Sequence, residues 1–345
     1  MARIVVAGAG AVGASIAYHL VRRGADDVVI CDRGEVASRA TGKAMGGVRQ
    51  QFSTEPEVRL AQASARFFAE LGRPLFEQVG YLFIATSEKG LAALSERRAR
   101  QVALGVPVEA VDASFVEGLR TDDILGAFIC REDGVADPTA VTRHFVAEAV
   151  AGGAELLEHT DARELDRDVL VVACGADSPE LIDVPVRPLV RQLVDIEAVP
   201  GLPHDLPMTI EEETSFHFRR VGDRLRLAMV EPTLRWGIDE VVDESLVADW
   251  LERIAHRYPS ADGVGVSRAW AGLYDMTPDA HPIIGWVEDG VYAACGFSGH
   301  GFMQAPAVGA AVAEELLTGT SSFDLSPYRL ERFAGGAGFP ETLVL

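Results

Sequence analysis

The sequence predicts a mixed fold, α/β plus α+β, in which a parallel-sheet domain is interrupted twice by a second domain built on an antiparallel sheet. Three observations predict it. Residues 4–32 read strand, helix, strand, with glycines crowding the first turn. Two further apolar runs of the buried-strand kind, Val169–Ala173 and Val291–Ala294, lie far downstream, each leading into Cys-Gly. Between them the texture changes over residues 185–261, where Ser215–Arg219 and Arg224–Met229 alternate polar and apolar residues, the period of half-buried antiparallel strands.

Taken in order, Ile4–Ala7 is a short apolar run that stops at glycine, the pattern of a buried parallel strand entering a tight turn. Ala14–Arg23 carries Ile16, Ala17 and Leu20 at helical spacing and ends at Gly24. Val28–Cys31 is the second strand, closed by Asp32. Such a unit requires parallel pairing and a right-handed crossover. Residues 34–54, rich in Gly, Ser, Thr and Ala, predict a long loop. A helix follows over 57–71, then a strand of a different sheet at Tyr81–Ala85 and a charged helix over 89–104. Pro138–Ala151 predicts another helix, with Asp137 as its cap and Pro138 in its first turn. After Val291–Ala294 comes a Gly-rich loop and a helix over Ala305–Leu317, with Pro306 in the first turn. The nucleotide-type domain is therefore expected over 1–73, 134–183 and 267–345, and the second domain over 74–133 and 184–266.

A chain of 345 residues suits two domains and can bury a sizeable core. Acidic residues outnumber basic ones 52 to 31, for a net charge of -21. That surface repels phosphate backbones, which argues against a nucleic-acid partner but not against a basic pocket. Cys31, Cys130, Cys174 and Cys295 form no CxxC pair, so buried reduced thiols are expected and no metal site. No signal peptide is evident and no apolar run reaches membrane-spanning length, so the expected location is cytoplasmic. The sequence leaves an oligomer open.

Gly8, Gly10 and Gly13 stand as GxGxxG between strand and helix, a Rossmann-like dinucleotide fingerprint. The first glycine permits the turn, the second lets a pyrophosphate approach the backbone, and the third lets the helix pack on the strand. The phosphates then meet the N–H groups of the first turn, here Ala11 and Val12, where the helix dipole favours anions. Asp32, followed by Arg33, is placed to accept hydrogen bonds from ribose hydroxyls. This fingerprint does not separate NAD from FAD.

Three segments carry further information: TGKAMGGVRQQFS (41–53), WAGLYDMTPDAHPIIG (270–285) and CGFSGHGFMQAPAVG (295–309). Together, in this order and over nearly the whole chain, they resemble the D-amino-acid-oxidase-like flavoproteins, in the branch of sarcosine oxidases, glycine oxidases and amino-acid dehydrogenase β subunits. The resemblance implies a glutathione-reductase-type FAD-binding domain, discontinuous in sequence, with an inserted substrate domain. It implies FAD, and oxidation of a small primary or secondary amine or amino acid by hydride transfer to flavin N5, followed by imine hydrolysis. O2 or another acceptor would then take the electrons. It carries cofactor contacts onto Thr41, Gly42, Lys43, Gly46 and Gly47 in the first segment. It also carries them onto Ala162 (as a backbone contact to adenine), Cys174 and Gly175, and onto Gly272, Gly299, His300, Gly301, Phe302, Met303 and Gln304. Arg49 matches the arginine that binds the substrate carboxylate, a role its planar fork suits. Tyr274 matches an active-site tyrosine, although a core tyrosine with a satisfied hydroxyl reads the same. His300 reads either as a catalytic base or as a structural hydrogen-bonder beside the cofactor.

The sequence departs from those enzymes in three ways. Gly272 stands where sarcosine oxidases attach their flavin through cysteine, and residues 38–47 contain no histidine, so non-covalent FAD is expected. Met303 stands where they place a second, lysine anchor for the carboxylate, which implies a substrate without a free carboxylate in that pose or with an apolar group there, such as a partly apolar N-substituted glycine. Arg226 loosely matches their oxygen-activating lysine, which leaves a dehydrogenase with another acceptor open. Two other readings remain: an NAD-dependent dehydrogenase, which leaves the C-terminal GFSGHGF loop unexplained, and a flavin-binding subunit without turnover of its own.

Overall fold

The computed structural model describes residues 2–335, 340, 341 and 344; the remainder of the 267–345 stretch lies outside the described residues. Its first sheet has six strands in the order Ile283–Glu288, Val291–Cys295, Val169–Val172, Ile4–Ala7, Val28–Cys31 and Glu155–Leu157. All neighbours are parallel except the first pair. The central strands are apolar because both faces are covered: Val5, Val6, Val171 and Val172 are fully buried.

Helix α1 (Ala11–Arg22) lies on this sheet through Ala14, Ile16, Ala17 and Leu20. Helices α2 (Glu55–Leu71), α3 (Glu88–Ala103), α4 (Pro138–Ala151), α5 (Glu244–Arg257) and α6 (Gly301–Thr318) follow along the chain. Asp137 caps α4, accepting from the Thr139 and Ala140 N–H groups. Helices α1 and α6 meet at small residues; a side chain on Gly309 would strike Ser15.

The expected start of the last helix is corrected. It begins at Gly301, and Pro306 lies inside it rather than in its first turn. The buried Phe302, Gln304 and Ala305 hold those extra residues helical, so packing overrides the glycine-rich local sequence.

The second sheet has nine strands. Its backbone is the pairing of Arg187–Ala198 with Val266–Met276 along nearly their whole length, so the latter strand crosses the boundary expected at 266/267. The sheet is mixed rather than purely antiparallel: Met208–Glu211 pairs in parallel with Tyr81–Ala85. Helix α5 covers one face, burying Trp250 and Ile254 against Phe216, Phe218, Leu225 and Leu227. A small third sheet of Gly47–Val48, Phe76–Glu77 and Gly134–Ala136 ties the two together. Among the described residues no helix is long and apolar enough to cross a membrane.

Candidate active site

A cleft runs from the first turn of α1 to the face of the large sheet, enclosing about 2080 Å³ of empty space with the solvent at its mouth. At its nucleotide end Gly8 takes φ +110, and a Cβ there would strike the Ala173 carbonyl. A Cβ on Gly13 would be driven into the Gly8 carbonyl oxygen. On Gly10 it would meet only Thr41 Oγ1, at 3.2 Å, because that position faces the cleft. The three glycines therefore do the three different jobs a pyrophosphate-binding turn requires. Asp32 pins the turn from outside, its carboxylate accepting from Ala9 N and Gly34 N, both at 2.8 Å.

Gly8, Gly10, Ala11, Val12, Asp32 and Arg33 line this end, with Ala162, Cys174 and Gly175 opposite. Arg33 is paired with Glu180 (2.7 Å) and Asp177 (3.2 Å). The Ala162 carbonyl already accepts from Arg167 Nη1 at 2.6 Å. Burial beside Asp32 pushes the Cys174 thiol up to about 12, so it is not a thiolate.

Thr41, Lys43, Gly46 and Gly47 line the middle of the cleft, with Gly272 across from them. A Cβ on Gly272 would stand 3.1 Å from Lys43 Cβ, so the two walls nearly touch there. Lys43 is ion-paired with Glu240, which also lines the cleft.

Arg49, Tyr274, His300, Gly299, Gly301, Phe302 and Met303 converge at the far end. Arg49 is 1% exposed, its guanidinium 4.1 Å from the Phe52 ring and donating to the Gln51 carbonyl. Burial lowers its pKa, the cost of a cation held away from water. His300 caps α6 and meets Phe52 edge-on at 4.9 Å. The Tyr274 ring packs so closely on Gly299 that a Cβ there would strike it, and burial raises the pKa of its hydroxyl. Asp275 fixes the loop before α6, accepting from Gly296 N (2.8 Å) and Phe297 N (3.0 Å).

Three predicted residues stand off the cleft wall. Gly13 is covered by Gly8, Gly42 packs on the Ala37 carbonyl, and Gln304 is fully buried with its amide donating to Glu57. Arg226, matched to an oxygen-activating lysine, does not line the cleft either; it makes a two-pronged ion pair with Asp195 at 2.8 and 2.9 Å.

Sequence reasoning missed Asp133, His217 and Arg191. Asp133 accepts from Gln50 N, Gln50 Nε2 and Gln51 Nε2 at 3.0–3.2 Å, clamping the segment that carries Arg49. Burial pushes its carboxyl up to about 6. His217 and Arg191 arrive from the large sheet and line the cleft beside Arg49 and Tyr274. Only sheet register brings them there; the sole local signal for Arg191 is a charge inside an apolar strand.

His217 Nδ1 lies 2.8 Å from the Ser215 carbonyl and donates to it, which leaves Nε2 as an acceptor. Burial, and then Arg49 and Arg191, lower its pKa to about 4. Folded His217 thus binds fewer protons than unfolded His217 between about pH 4 and 6.5, so stability falls as pH falls through that window. The loss is on the order of 3 kcal/mol at the acid limit. His19, lowered to about 4 by burial, Arg23 and Arg22, acts with the same sign. In thermal melts at pH 7 and pH 5, His217→Gln should roughly halve the acid-induced drop; an unchanged drop would mean that His217 is charged in the folded protein.

A parallel sheet with a phosphate-binding turn, opening into a long cleft roofed by a second sheet and lined by buried arginine and tyrosine, defines a dinucleotide-dependent oxidoreductase. The chain belongs to the DAO family of FAD-dependent oxidoreductases, whose model matches residues 3–315, and it is an FAD-dependent enzyme of the amine and amino-acid class. It is 25% identical to FAD-dependent oxidoreductase domain-containing protein 1 of Xenopus laevis, covering 96% of this chain and 82% of that one. It is 26% identical to glycine oxidase of Geobacillus kaustophilus, over 97% and 98% of the two chains. Among solved structures, the L-proline dehydrogenase from P. horikoshii superposes with a TM-score of 0.88 at 26% identity, over 98% and 99% of the two chains.

Proposed function

We propose that the chain oxidises the amine of a small amino acid of the sarcosine, glycine or N-substituted glycine kind, with FAD held without a covalent bond. The observation that carries this reading is the buried guanidinium of Arg49 at the far end of the cleft, beside a protonated Tyr274 and a neutral His217. The glycine cradle of Gly8, Gly10 and Gly13 fits a pyrophosphate.

Arg49 takes the substrate carboxylate on its two-pronged face. His217 Nε2 accepts a hydrogen bond from the amine and so favours the neutral amine over ammonium. Tyr274, on the same sheet, donates from its hydroxyl. Bound FAD supplies the two-electron acceptor for the substrate C–H. The imine product takes up water and splits into a carbonyl compound and an amine. Gly272 and the histidine-free 38–47 loop offer no side chain for covalent attachment of FAD. We place the division between FAD-binding and substrate domains at the boundary of the six- and nine-stranded sheets. Four thiols outside any disulfide support a cytoplasmic setting.

One observation favours a second reading, an amino-acid dehydrogenase with an acceptor other than O2: Arg226 is bound to Asp195 instead of facing the cleft. A single experiment addresses both. The purified yellow protein is mixed with small amino acids and amines without oxygen, and its visible spectrum is followed; air is then admitted. One compound is expected to bleach the flavin bands. Recovery in air identifies an oxidase, and persistence of the bleached state a dehydrogenase. A yellow protein that no amine bleaches would refute the amine reading, and acid precipitation should release the flavin into the supernatant.

A further inference from the structure

Arg191 sits in the strand Arg187–Ala198, opposite Gly272 in register and two residues along from the Leu189–Tyr274 pair. Directly opposed residues share a face of the sheet, so Arg191, Gly272 and Tyr274 present together to the cleft. Its guanidinium carbon is 5.8 Å from the Tyr274 ring centre. Its Nε and Nη1 atoms are buried and have no hydrogen-bond partner among the described residues. Other arginines of this region are matched: Arg226 by Asp195, Arg235 by Glu231, Arg257 by Asp123 and Glu211. Arg219 shares the unmet Nε but stands behind Gly46, off the cleft wall.

Arg191 as a whole is half-buried, but two covered guanidinium nitrogens without an acceptor are costly, and a ligand carboxylate offsets that cost. Arg49 and Arg191 also face one common space, since both act on His217 and on Tyr274. One amino-acid carboxylate engages one guanidinium fork. Two forks around one reaction space call for two carboxylates.

We propose that Arg191 is a second carboxylate anchor, and that the site takes a secondary amine carrying a carboxylate on each side of the nitrogen, an N-carboxymethyl amino acid of the iminodiacetate type. This rests on the amine-oxidising reading above and narrows its substrate class. The dianion also suits a cationic pocket inside a chain of net charge -21, where the field of the rest of the molecule disfavours loosely held anions.

The test compares the FAD-loaded wild type with Arg191→Met and Arg191→Lys. Binding of glutarate and of butyrate, neither of which can react, is followed by perturbation of the flavin spectrum and by equilibrium dialysis. Wild type is expected to prefer glutarate roughly 10- to 100-fold, Arg191→Met to lose that preference with butyrate affinity and flavin content unchanged, and Arg191→Lys to restore part of it. In turnover, the ratio of kcat/KM for iminodiacetate over sarcosine should fall by a similar factor in Arg191→Met. Equal binding of the two acids by wild type overturns the second anchor. So does a loss in Arg191→Met that is the same for both acids and comes with loss of flavin, which would put Arg191 against the cofactor. Because binding needs no turnover, a protein that prefers glutarate but oxidises no amine would refute the amine reading and leave the anchor standing.

Discussion

Arg49→Gln should lower kcat/KM for the reacting amino acid by roughly 30- to several-thousand-fold with flavin content unchanged. That range is about 2–5 kcal/mol, the cost of leaving one member of a buried, hydrogen-bonded charge pair without the other. Arg49 belongs at the upper part of it because it is 1% exposed, so no water replaces the lost guanidinium at the carboxylate. Arg49→Lys keeps the charge but loses the planar fork and should fall between wild type and Arg49→Gln. The fall is expected in KM as well as kcat, since an unanchored substrate binds weakly and also aims its C–H poorly. Steady-state kinetics with melting temperature and flavin content as controls decide it. Loss of turnover that tracks loss of fold would make Arg49 a structural residue, as its contact with Phe52 and its bond to the Gln51 carbonyl would then suggest.

The second large effect separates two glycines of one motif. Gly10→Ala should leave the apoprotein folded, because the added methyl meets only the Thr41 hydroxyl, and should weaken FAD binding by roughly 5- to 150-fold, the 1–3 kcal/mol of an overpacked contact. Gly13→Ala should instead damage the fold, because the Gly8 carbonyl occupies the space and backbone cannot give way as a side chain does. Apoprotein melting and FAD titration of each variant read the two effects apart. Equal loss of fold in both would mean that Gly10 does not face the cofactor.

These glycines also mark what was legible before the structure. Residues 4–32 are read easily because turn, helix start and strand end are all local features of one short stretch. The helix Pro138–Ala151 is likewise announced by its own cap. The start of α6 was not legible, since Gly299 and Gly301 read as loop until the burial of Phe302 and Gln304 is known. At the site, Arg49 and Tyr274 were reached through resemblance, not through any local rule. Asp133, His217 and Arg191 were out of reach for a physical reason: Arg191 faces the cleft through its pairing with a strand about 80 residues downstream, His217 through the place of its hairpin in the large sheet, and Asp133 through the turn that meets Gln50 and Gln51, and a register is not written in either strand alone.

The interleaving of the two sheets sets a timetable for synthesis. The strand Ile4–Ala7 pairs on one side with Val28–Cys31, but its other neighbour is Val169–Val172, and the next beyond is Val291–Cys295. At about 5–20 residues per second, the first missing neighbour leaves the ribosome on the order of 10–30 s after the nucleotide turn does. During that interval a fully apolar strand has an open edge, the kind of edge that invites pairing with another chain. The cleft waits longer still, because its far wall includes Gly299–Met303. FAD can therefore bind in full only once the chain is complete through that loop, so cofactor capture follows the folding of both sheets and does not guide it.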